Sequence, residues 1–369
     1  MKRILFLIPN LMHGGAEKVL VNLVNNLDPT KYDVTLYSIF DHGVNKDALD
    51  KGVKYQYRFK WLFRGNSFFF KFFSPAFLYK WMLKDEYDIV ISFLEGVAAR
   101  IVSGCPFSAT KKVAWLHIEL NNEAMARVGF RSIAEARECY RKFDSIIGVS
   151  ATVVAMAKKT IGENLPYRVL YNTNETDQIR KKARDPADID FEKGMINICS
   201  VAKIMKTKGY DRLLKAHSRL IDEGFPHAVH IFGCGGELKK LERHAKKLGV
   251  SESFTFHGFR KNPYKYVSKC DLYVCSSRRE GFSTAVTEAL IMGVPVVSTD
   301  CSGAKELLGE NDEFGLVVEN SEEGVYRGIK RILSEPGLLE RYRKQATIRG
   351  ERFSTSETVK AVEEMLENL

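Results

Sequence analysis

Two glutamates in the segment REGFSTAVTEAL are of the right type and spacing to bind hydroxyl groups. Seven residues separate Glu280 from Glu288, and a helix predicted from Ser283 places Glu280 in the preceding loop and Glu288 in its second turn. Carboxylates suit vicinal hydroxyls because each oxygen accepts an O–H. The N–H groups of Phe282, Ser283 and Thr284 at the helix start suit a phosphate. A pair of surface glutamates is the alternative, but the apolar residues between them indicate burial.

Two lysines follow the strand predicted at residues 196–201, in SVAKIMKTKGYDRLLKA. A helix follows this loop, so Lys203 and Lys208 can both reach the crevice at the end of the strand. Two cations there could hold a diphosphate and stabilise it as it leaves, through charge-assisted hydrogen bonds of roughly 1.5–3 kcal/mol each. Solvated surface lysines are the alternative.

The first half of the chain has further polar or glycine positions at predicted strand ends. Gly14 and Gly15 open the first helix, where glycines let N–H groups approach a phosphate, although a simple tight turn explains them equally well. His117 ends the apolar segment VAWLH and could contact a substrate or be a satisfied core histidine. The one D-x-D sequence, Asp188 to Asp190, sits in a polar stretch without a flanking strand, so we expect no metal there.

These residues belong to two successive α/β patterns. Strands are predicted at residues 3–8, 34–39, 89–93, 113–116 and 145–149, and again at 196–201, 228–232, 254–257, 272–276 and 294–298, with helices between them. This alternation is typical of a doubly wound, largely parallel sheet. The polar stretch 175–194 interrupts it and is predicted to connect two domains. Two such domains bind ligands at the carboxyl ends of their strands.

Composition and charge exclude several classes of protein. The 369 residues are 45% hydrophobic and 28% charged, so the chain is neither disordered nor fibrous. The net charge is +10, of which the first 170 residues carry +8 (24 Lys and Arg against 16 Asp and Glu). Seven cysteines without a C-x-x-C spacing favour a reducing cytosol over a disulfide framework or a zinc ribbon. We expect no signal peptide and no membrane-spanning segment.

The stretch between Asp50 and Asp85 concentrates this charge. It has eight cations, no acidic residue and thirteen aromatic residues. Phenylalanine clusters separated by lysines favour an anionic membrane surface, with single-stranded nucleic acid and an ordinary core helix as alternatives. The predicted docking residues are Lys60, Trp61, Phe69, Phe70, Phe72, Phe73, Lys80 and Trp81. The expected location is the cytoplasm, peripherally on the inner face of the cell membrane.

Together these segments resemble the retaining glycosyltransferases of family 4, which have the GT-B fold. The resemblance rests mainly on EGFSTAVTEALIMGVPVVSTDCSGAKELL, with support from SVAKIMKTKGYDRLL, HIFGCGGELKKLE, FHGF and GGAEKV. It implies two Rossmann-like domains whose parallel sheets face each other across a cleft. Residues 1–170, with a returning C-terminal helix at 355–369, would bind the acceptor. Residues 171–354 would bind a nucleotide-sugar donor.

The resemblance also implies roles for single residues. Glu288 would bind the ribose hydroxyls, Glu280 hydroxyls of the transferred sugar, and Lys208 the diphosphate. Lys203 stands where the family usually has arginine, so the charge is kept but bidentate phosphate binding is lost. His117 would contact the donor sugar or the reaction centre. The remaining donor-binding positions are Gly14, Gly15, Asn172, Gly233, Arg260, Phe282, Ser283 and Thr284.

The implied reaction needs no metal and no cofactor. Lysines and backbone amides would stabilise a departing nucleoside diphosphate, UDP more than GDP, while an acceptor hydroxyl attacks from the same face. The GGAE variant and the basic, aromatic first domain resemble members that extend lipid-linked or cell-envelope glycans. Two rivals remain at this point: a nucleotide-sugar 2-epimerase of the same fold, and a non-enzymatic protein that binds nucleotides or nucleic acid. We expect no nucleic acid partner.

Overall fold

The computed structural model describes residues 1–12, 14–192 and 194–369, with the backbone only at Ser67. The chain divides into two compact units. The first unit comprises Met1–Asn174 and Thr355–Leu369, and the second comprises Glu175–Ser354. The boundary between the two units therefore follows Asn174, whereas the sequence analysis placed it after residue 170.

The first unit is built on a seven-stranded parallel sheet in the order β3-β2-β1-β4-β5-β6-β7. Its strands are β1 Lys2–Ile8, β2 Tyr32–Phe40, β3 Lys54–Phe59, β4 Ile89–Ser92, β5 Lys111–Leu116, β6 Ser145–Gly148 and β7 Tyr167–Val169. The helices between them are α1 Gly15–Asn26, α2 Asn66–Phe69, α3 Pro75–Met82, α4 Val97–Val102, α5 Glu123–Ala126, α6 Ile133–Tyr140 and α7 Ala151–Ile161. The central strands β1, β4 and β5 are largely apolar and buried after their first residues, as expected where helices cover both faces of a sheet.

The second unit has a six-stranded parallel sheet in the order β10-β9-β8-β11-β12-β13. Its strands are β8 Ile196–Val201, β9 His227–Phe232, β10 Phe254–Phe256, β11 Leu272–Cys275, β12 Val296–Thr299 and β13 Leu316–Val318. Its helices are α8 Thr176–Ala183, α9 Tyr210–Asp222, α10 Leu238–Lys247, α11 Tyr264–Val267, α12 Thr284–Ile291, α13 Ala304–Leu308, α14 Glu322–Ser334 and α15 Leu338–Glu351. The strand order reverses between β8 and β11, which is where ligands bind in open α/β sheets.

The final helix, α16 Thr355–Glu367, packs in the first unit. It buries Val362, Met365 and Leu366, and the Lys2 ammonium donates to the Leu366 carbonyl at 2.8 Å. No helix within the described ranges is long and apolar enough to cross a membrane. All seven cysteines are free thiols.

The polar stretch 175–194 is not an open linker. Helix α8 forms there and belongs to the second unit, where Ile179 packs against Tyr264 and Ile291. Asp188 forms an ion pair with Lys265 at 2.8 Å. The predicted connecting segment thus begins at the boundary between the two units, but it is folded over α8, because the burial of Thr176 and Ile179 fixes this short, otherwise charged helix.

Two buried histidines form a hydrogen-bonded chain in the core of the second unit. The His227 Nδ1 lies 2.8 Å from the Phe225 carbonyl, and its Nε2 lies 2.8 Å from the His217 Nδ1. Because a carbonyl only accepts, His227 Nδ1 donates to it and His217 Nδ1 donates to His227. The Ser253 hydroxyl lies 2.9 Å from His217 Nε2 and donates to it. Every ring nitrogen is thus satisfied when both imidazoles are neutral.

We expect a fall in pH to destabilise the second unit through these two buried histidines. Burial, reinforced by the nearby His227, lowers the pKa of His217 from 6.5 to about 3, so only the unfolded state takes up a proton between these values. Stability therefore falls as the pH drops below 6.5, by about 1.4 kcal/mol per pH unit for one such histidine, or about 2 kcal/mol at pH 5. Urea unfolding at pH 7.5, 6 and 5 measures this slope. His217→Gln should flatten it, and an unchanged slope in that variant would contradict the assignment.

Candidate functional site

The loops that follow β8 and β11 meet at the point where the strand order of the second sheet reverses. The Lys208 ammonium lies 2.6 Å from Glu280 Oε1, and the Ser277 hydroxyl donates to the same oxygen at 2.6 Å. The side chains of Lys208 and Glu280 are 24% and 12% exposed, so the pair is largely shielded but open to a ligand. The sequence predicted both charged residues as site residues, but it did not predict a role for Ser277.

A glycine makes this close approach possible. Gly209 has a φ of +68°, and a Cβ at this position would lie 2.0 Å from the Ser276 carbonyl oxygen. The Ser276 hydroxyl in turn donates to the Lys208 carbonyl at 3.0 Å. The backbone N–H of Arg278 also donates to the Thr207 carbonyl at 2.7 Å. These contacts hold the two loops together and keep the Lys208 ammonium beside Glu280.

The pair keeps Lys208 charged. Burial by itself lowers the pKa of a lysine, but the Glu280 charge and hydrogen bond more than offset it, and the pKa of Lys208 is raised. Lys208 is thus a fixed cation at neutral pH, as stabilisation of a phosphate requires.

Glu288 lies in the second turn of α12, as predicted, and is buried. The Tyr264 hydroxyl donates to its Oε1 at 3.0 Å. Ser283 caps α12, with its side chain accepting from the Val286 N–H at 3.4 Å, and Thr284 is the first residue of the helix. Phe282 is buried against Phe353, at a ring distance of 5.9 Å. Tyr264, far away in sequence, gave no signal that it would orient this carboxylate.

The other positions predicted in the second unit have different surroundings. Gly233 has a φ of +152° and a Cβ there would lie 1.9 Å from the Ala202 carbonyl oxygen, so it allows the loop after β9 to pack on the loop that carries Lys203. Lys203 itself is exposed. Arg260 lies 3.8 Å from Asp188 and over the ring of Tyr266. The guanidinium of Arg260 thus lies near the Asp188 carboxylate of the same unit.

In the first unit, His117 directly follows β5 at the carboxyl end of the sheet. The backbone N–H of His117 donates to Glu95 Oε2 at 3.0 Å, and the His117 ring lies 4.7 Å from that of Phe93. Its Nε2 is buried and has no partner among the described residues. Burial lowers the pKa of His117 to about 3, so the imidazole is neutral, and burial also raises the pKa of Glu95. Glu95 follows strand β4, and its strand-end position was a signal that the sequence reasoning missed.

The remaining predicted positions of the first unit also lie near strand or helix ends. Gly14 is the N-cap of α1 and has no side-chain cap, and Gly15 is the first residue of the helix. Asn172 is 4% exposed, and its Oδ1 has no partner among the described residues. Buried polar atoms are nearly always hydrogen-bonded, so the Oδ1 of Asn172 and the Nε2 of His117 are both open to a ligand or water.

The described residues contain no cluster of three His, Cys, Asp or Glu side chains that could hold a metal ion. The carboxylate of Asp188, from the D-x-D sequence, is instead bound by Lys265 and Tyr266, which hold the pKa of Asp188 well below its usual range.

The basic, aromatic stretch forms an exposed face of the first unit. We call this the aromatic surface, and its exposed rings are Trp61, Phe63, Phe68, Phe72 and Phe77. Among the predicted docking residues, Lys60, Trp61, Phe72 and Lys80 are exposed, whereas Phe69, Phe73 and Trp81 are half-buried. Phe70 is 1% exposed and packs against Phe40 and Phe59, so its predicted docking role was wrong. Within the run 68–73, Phe70 thus anchors the segment to the core, Phe69 and Phe73 are half-buried, and Phe68 and Phe72 are exposed.

Two family comparisons decide the relationship of the chain to known proteins. The profile described as glycosyl transferases group 1 matches residues 181–349, and the profile described as glycosyltransferase family 4 matches residues 13–178. The chain belongs to the family 4 glycosyltransferases. The resemblance predicted from the sequence is thereby confirmed.

Similar proteins and solved structures are consistent with this family membership. It is 35% identical over 187 residues to the N-acetylgalactosamine-N,N'-diacetylbacillosaminyl-diphospho-undecaprenol 4-alpha-N-acetylgalactosaminyltransferase of Campylobacter jejuni, covering 50% of this chain and 49% of that protein. It is 25% identical over 353 residues to an uncharacterised glycosyltransferase of Haemophilus influenzae, covering 92% of each. The chain thus spans about half the length of the Campylobacter relative.

The structure of Anabaena HepE in complex with UDP and glucose matches with a TM-score of 0.80 at 19% identity, over 100% of both chains. The likeness shows the fold, and the predicted GT-B fold is confirmed.

Proposed function

We propose that this glycosyltransferase moves a sugar from a nucleotide-sugar donor, UDP-sugar first of all, to a hydroxyl of a lipid-linked or cell-envelope glycan. The observation that carries the proposal is the Lys208–Glu280 pair at the strand-order reversal of the second sheet. The name of the Campylobacter relative specifies a diphospho-undecaprenol glycan as acceptor, and the HepE structure contains UDP and glucose. Both support the proposed substrate classes. The matching glycosyltransferase profiles weigh against an epimerase or a nucleic-acid-binding protein.

The proposed chemistry is positioning and charge stabilisation without a metal. The bond between the anomeric carbon and the diphosphate oxygen breaks, the acceptor oxygen bonds to that carbon on the same face, and the acceptor proton passes to the departing diphosphate. The Lys208 ammonium exchanges one Glu280 oxygen for a phosphate oxygen and stabilises the developing charge, with Lys203 as a second cation. Glu280 then accepts from hydroxyls of the transferred sugar, so we assign it no nucleophilic role.

Two further groups complete this scheme. Glu288, oriented by Tyr264, accepts the ribose hydroxyls. His117, kept neutral by burial, offers an unpaired Nε2 to a substrate hydroxyl. A neutral imidazole can donate or accept there without adding a charge to the reaction centre.

A hydrolysis screen of UDP- and GDP-sugars, with and without EDTA, tests the proposal. Nucleotide released from one donor at a rate that EDTA leaves unchanged is the expected result, and it identifies the donor. Release that EDTA abolishes would overturn metal independence. Calorimetric titration with UDP and GDP accompanies the screen, and failure of the protein to bind either nucleotide would overturn the transferase assignment.

We further propose that the aromatic surface docks the protein on the anionic inner face of the cell membrane, where a lipid-linked acceptor lies. Its five rings and the neighbouring cations are already exposed, so no unfolding is needed for insertion. Each Lys or Arg near such a surface contributes about 1 kcal/mol.

Replacing Trp61 and Phe72 by serine should release the protein from anionic vesicles. These side chains are 75% and 68% exposed, so their loss removes apolar area from the bilayer contact without opening the core. At about 1.5–3 kcal/mol for each buried aromatic ring, the partition coefficient should drop by at least about 100-fold. Vesicle sedimentation measures this partition coefficient, and thermal unfolding should be unchanged.

Phe70→Ser is the contrasting variant, because it should lower the stability of the fold. Sedimentation of the double variant with vesicles at the wild-type level would refute docking.

A further inference from the structure

A pocket of about 460 Å³ opens in the first unit where the edge strand β3 meets the chain after α3. Five of its eleven lining residues are aromatic, including Tyr37, Tyr57 and Trp81, and its charged lining residues are Arg58, Lys84 and Asp85. Two cations against one carboxylate give the lining a net positive charge. Neither the family resemblance nor the donor site accounts for this pocket, since it lies beside the amino end of β4 and the edge strand.

Arg58 is the group in the pocket that is best placed to bind an anion. Its guanidinium lies 4.7 Å from the centre of the Trp81 ring, which holds it flat against an aromatic face. The side chain is exposed, and no carboxylate of the described residues forms an ion pair with it. By contrast Lys54, earlier on the same strand, is paired with Asp33 at 2.6 Å. An oriented, unpaired guanidinium presents two parallel N–H groups, the arrangement that matches phosphate oxygens.

The pocket is continuous with the aromatic surface. The Trp81 ring that stacks under Arg58 also contacts the rings of Phe73 and Phe77, at centroid distances of 6.1 and 6.2 Å. Phe77 is one of the exposed rings of that surface. A lipid whose acyl chains lie against these rings would therefore bring its headgroup to the level of Arg58.

The backbone that carries the aromatic rings is held in place by arginines. Arg100 donates to the carbonyls of Phe70 and Phe73, at 2.8 and 2.7 Å, and Arg131 donates to the carbonyls of Lys71 and Phe72, at 2.6 and 3.1 Å. The four consecutive carbonyls of residues 70–73 are thus held by arginine side chains. Residues 70–73 do not themselves line the pocket, but their fixed backbone holds the Phe73 ring against Trp81, which does. Groups held in place before binding lower the entropy cost of ligand binding.

We propose that the Arg58–Trp81 pocket binds the phosphate of an anionic phospholipid headgroup and so sets which lipid the protein docks on. Arg58 binds two phosphate oxygens, Lys84 adds a second cation at the rim, and the hydroxyls of Tyr37 and Tyr57 donate to the remaining oxygens. The Tyr55 hydroxyl is not available, because it donates to Asp41 at 3.1 Å. Burial raises the pKa of Tyr37, although Arg58 opposes the shift, so this phenol keeps its proton at neutral pH. The inference rests on the proposed membrane docking and adds headgroup recognition to it.

The test compares Arg58→Lys, Arg58→Ala and Lys60→Ala with wild type. Lys60 is exposed, close in sequence and absent from the pocket lining, so its loss reports general surface charge. Binding is measured to phosphatidylglycerol vesicles and to vesicles with the same density of a carboxylate lipid.

The wild-type protein should bind phosphatidylglycerol vesicles more tightly than carboxylate-lipid vesicles. Arg58→Lys should lose about tenfold in affinity for phosphatidylglycerol vesicles, the equivalent of about 1.4 kcal/mol, and lose the preference, although the charge is conserved. Lys60→Ala should keep the preference.

Other outcomes overturn the inference. Equal affinity of wild type for the two vesicle types, or an unchanged preference in Arg58→Lys, would mean that only surface charge is sensed. Binding of glycerol phosphate that Arg58→Ala abolishes, without any binding to phosphatidylglycerol vesicles, would make a soluble phosphate the ligand. Sugar release from the donor in the absence of vesicles is measured in parallel and should be unaffected in all variants. If the wild-type protein releases no sugar from the donor, the result counts against the transferase proposal and not against the pocket.

Discussion

The Lys208→Met variant should transfer sugar about 100- to 1,000-fold more slowly than wild type, the effect typical of removing one preorganised charge from a reaction centre. Lys208 is the largely shielded cation of the candidate site, held 2.6 Å from Glu280 by the two fastened loops. Its loss removes stabilisation of the departing diphosphate, so turnover should fall more than donor affinity. Steady-state kinetics with the donor identified by the hydrolysis screen measures both.

Lys206→Met is the matched control for this substitution. Lys206 lies two residues earlier in the same loop and is exposed, so its replacement should leave turnover within about twofold, in keeping with the small effects of surface changes. Removing Lys208 also leaves the shielded Glu280 without its cation and lowers stability. Adding Glu280→Gln should restore much of that stability without restoring activity. Recovery of turnover in the double variant would show that Lys208 has only a structural role.

Replacing Arg100 by methionine should lower the free energy of unfolding of the first unit by about 3–5 kcal/mol, as expected when one partner of a buried ion pair is lost. The Arg100 side chain is fully buried, and one of its terminal nitrogens lies 2.8 Å from Glu135 Oε1. Its other N–H groups serve the carbonyls of Phe70 and Phe73. The variant therefore removes one donor each from the carbonyls of Phe70 and Phe73 and the cation from the Glu135 carboxylate.

Urea unfolding followed by tryptophan fluorescence measures this effect, and Arg131→Met is the matched control. Arg131 also donates to carbonyls of the aromatic segment, but its side chain is 48% exposed. Water can replace an exposed donor, so this control should lose no more than about 1 kcal/mol. Equal losses in the two variants would mean that the carbonyl hydrogen bonds, and not the buried pair with Glu135, carry the stability.

The parts of the fold that the sequence predicted are those with strong local patterns. Short continuous apolar runs such as the one in β1 favour strands covered on both faces, and their alternation with helices indicated parallel sheets. The edge strand β3, with the sequence KYQYRF, escaped prediction because most of its side chains are exposed and no apolar run marks it. Helix α8 was taken for a connection for the same reason, since it is charged on most of its surface.

The sequence by itself determined the chemistry available at the candidate site: two glutamates bracketing a helix start, lysines after a strand, and glycines where backbones must approach. Residue type and spacing along one element are sufficient for such inferences. Only the tertiary structure decided which groups touch, because Lys208 and Glu280, Tyr264 and Glu288, or His117 and Glu95 are distant in sequence and are brought together by sheet order. It also decided that Phe70 is core while Phe72 is exposed, since burial depends on what packs above a ring and not on the ring itself.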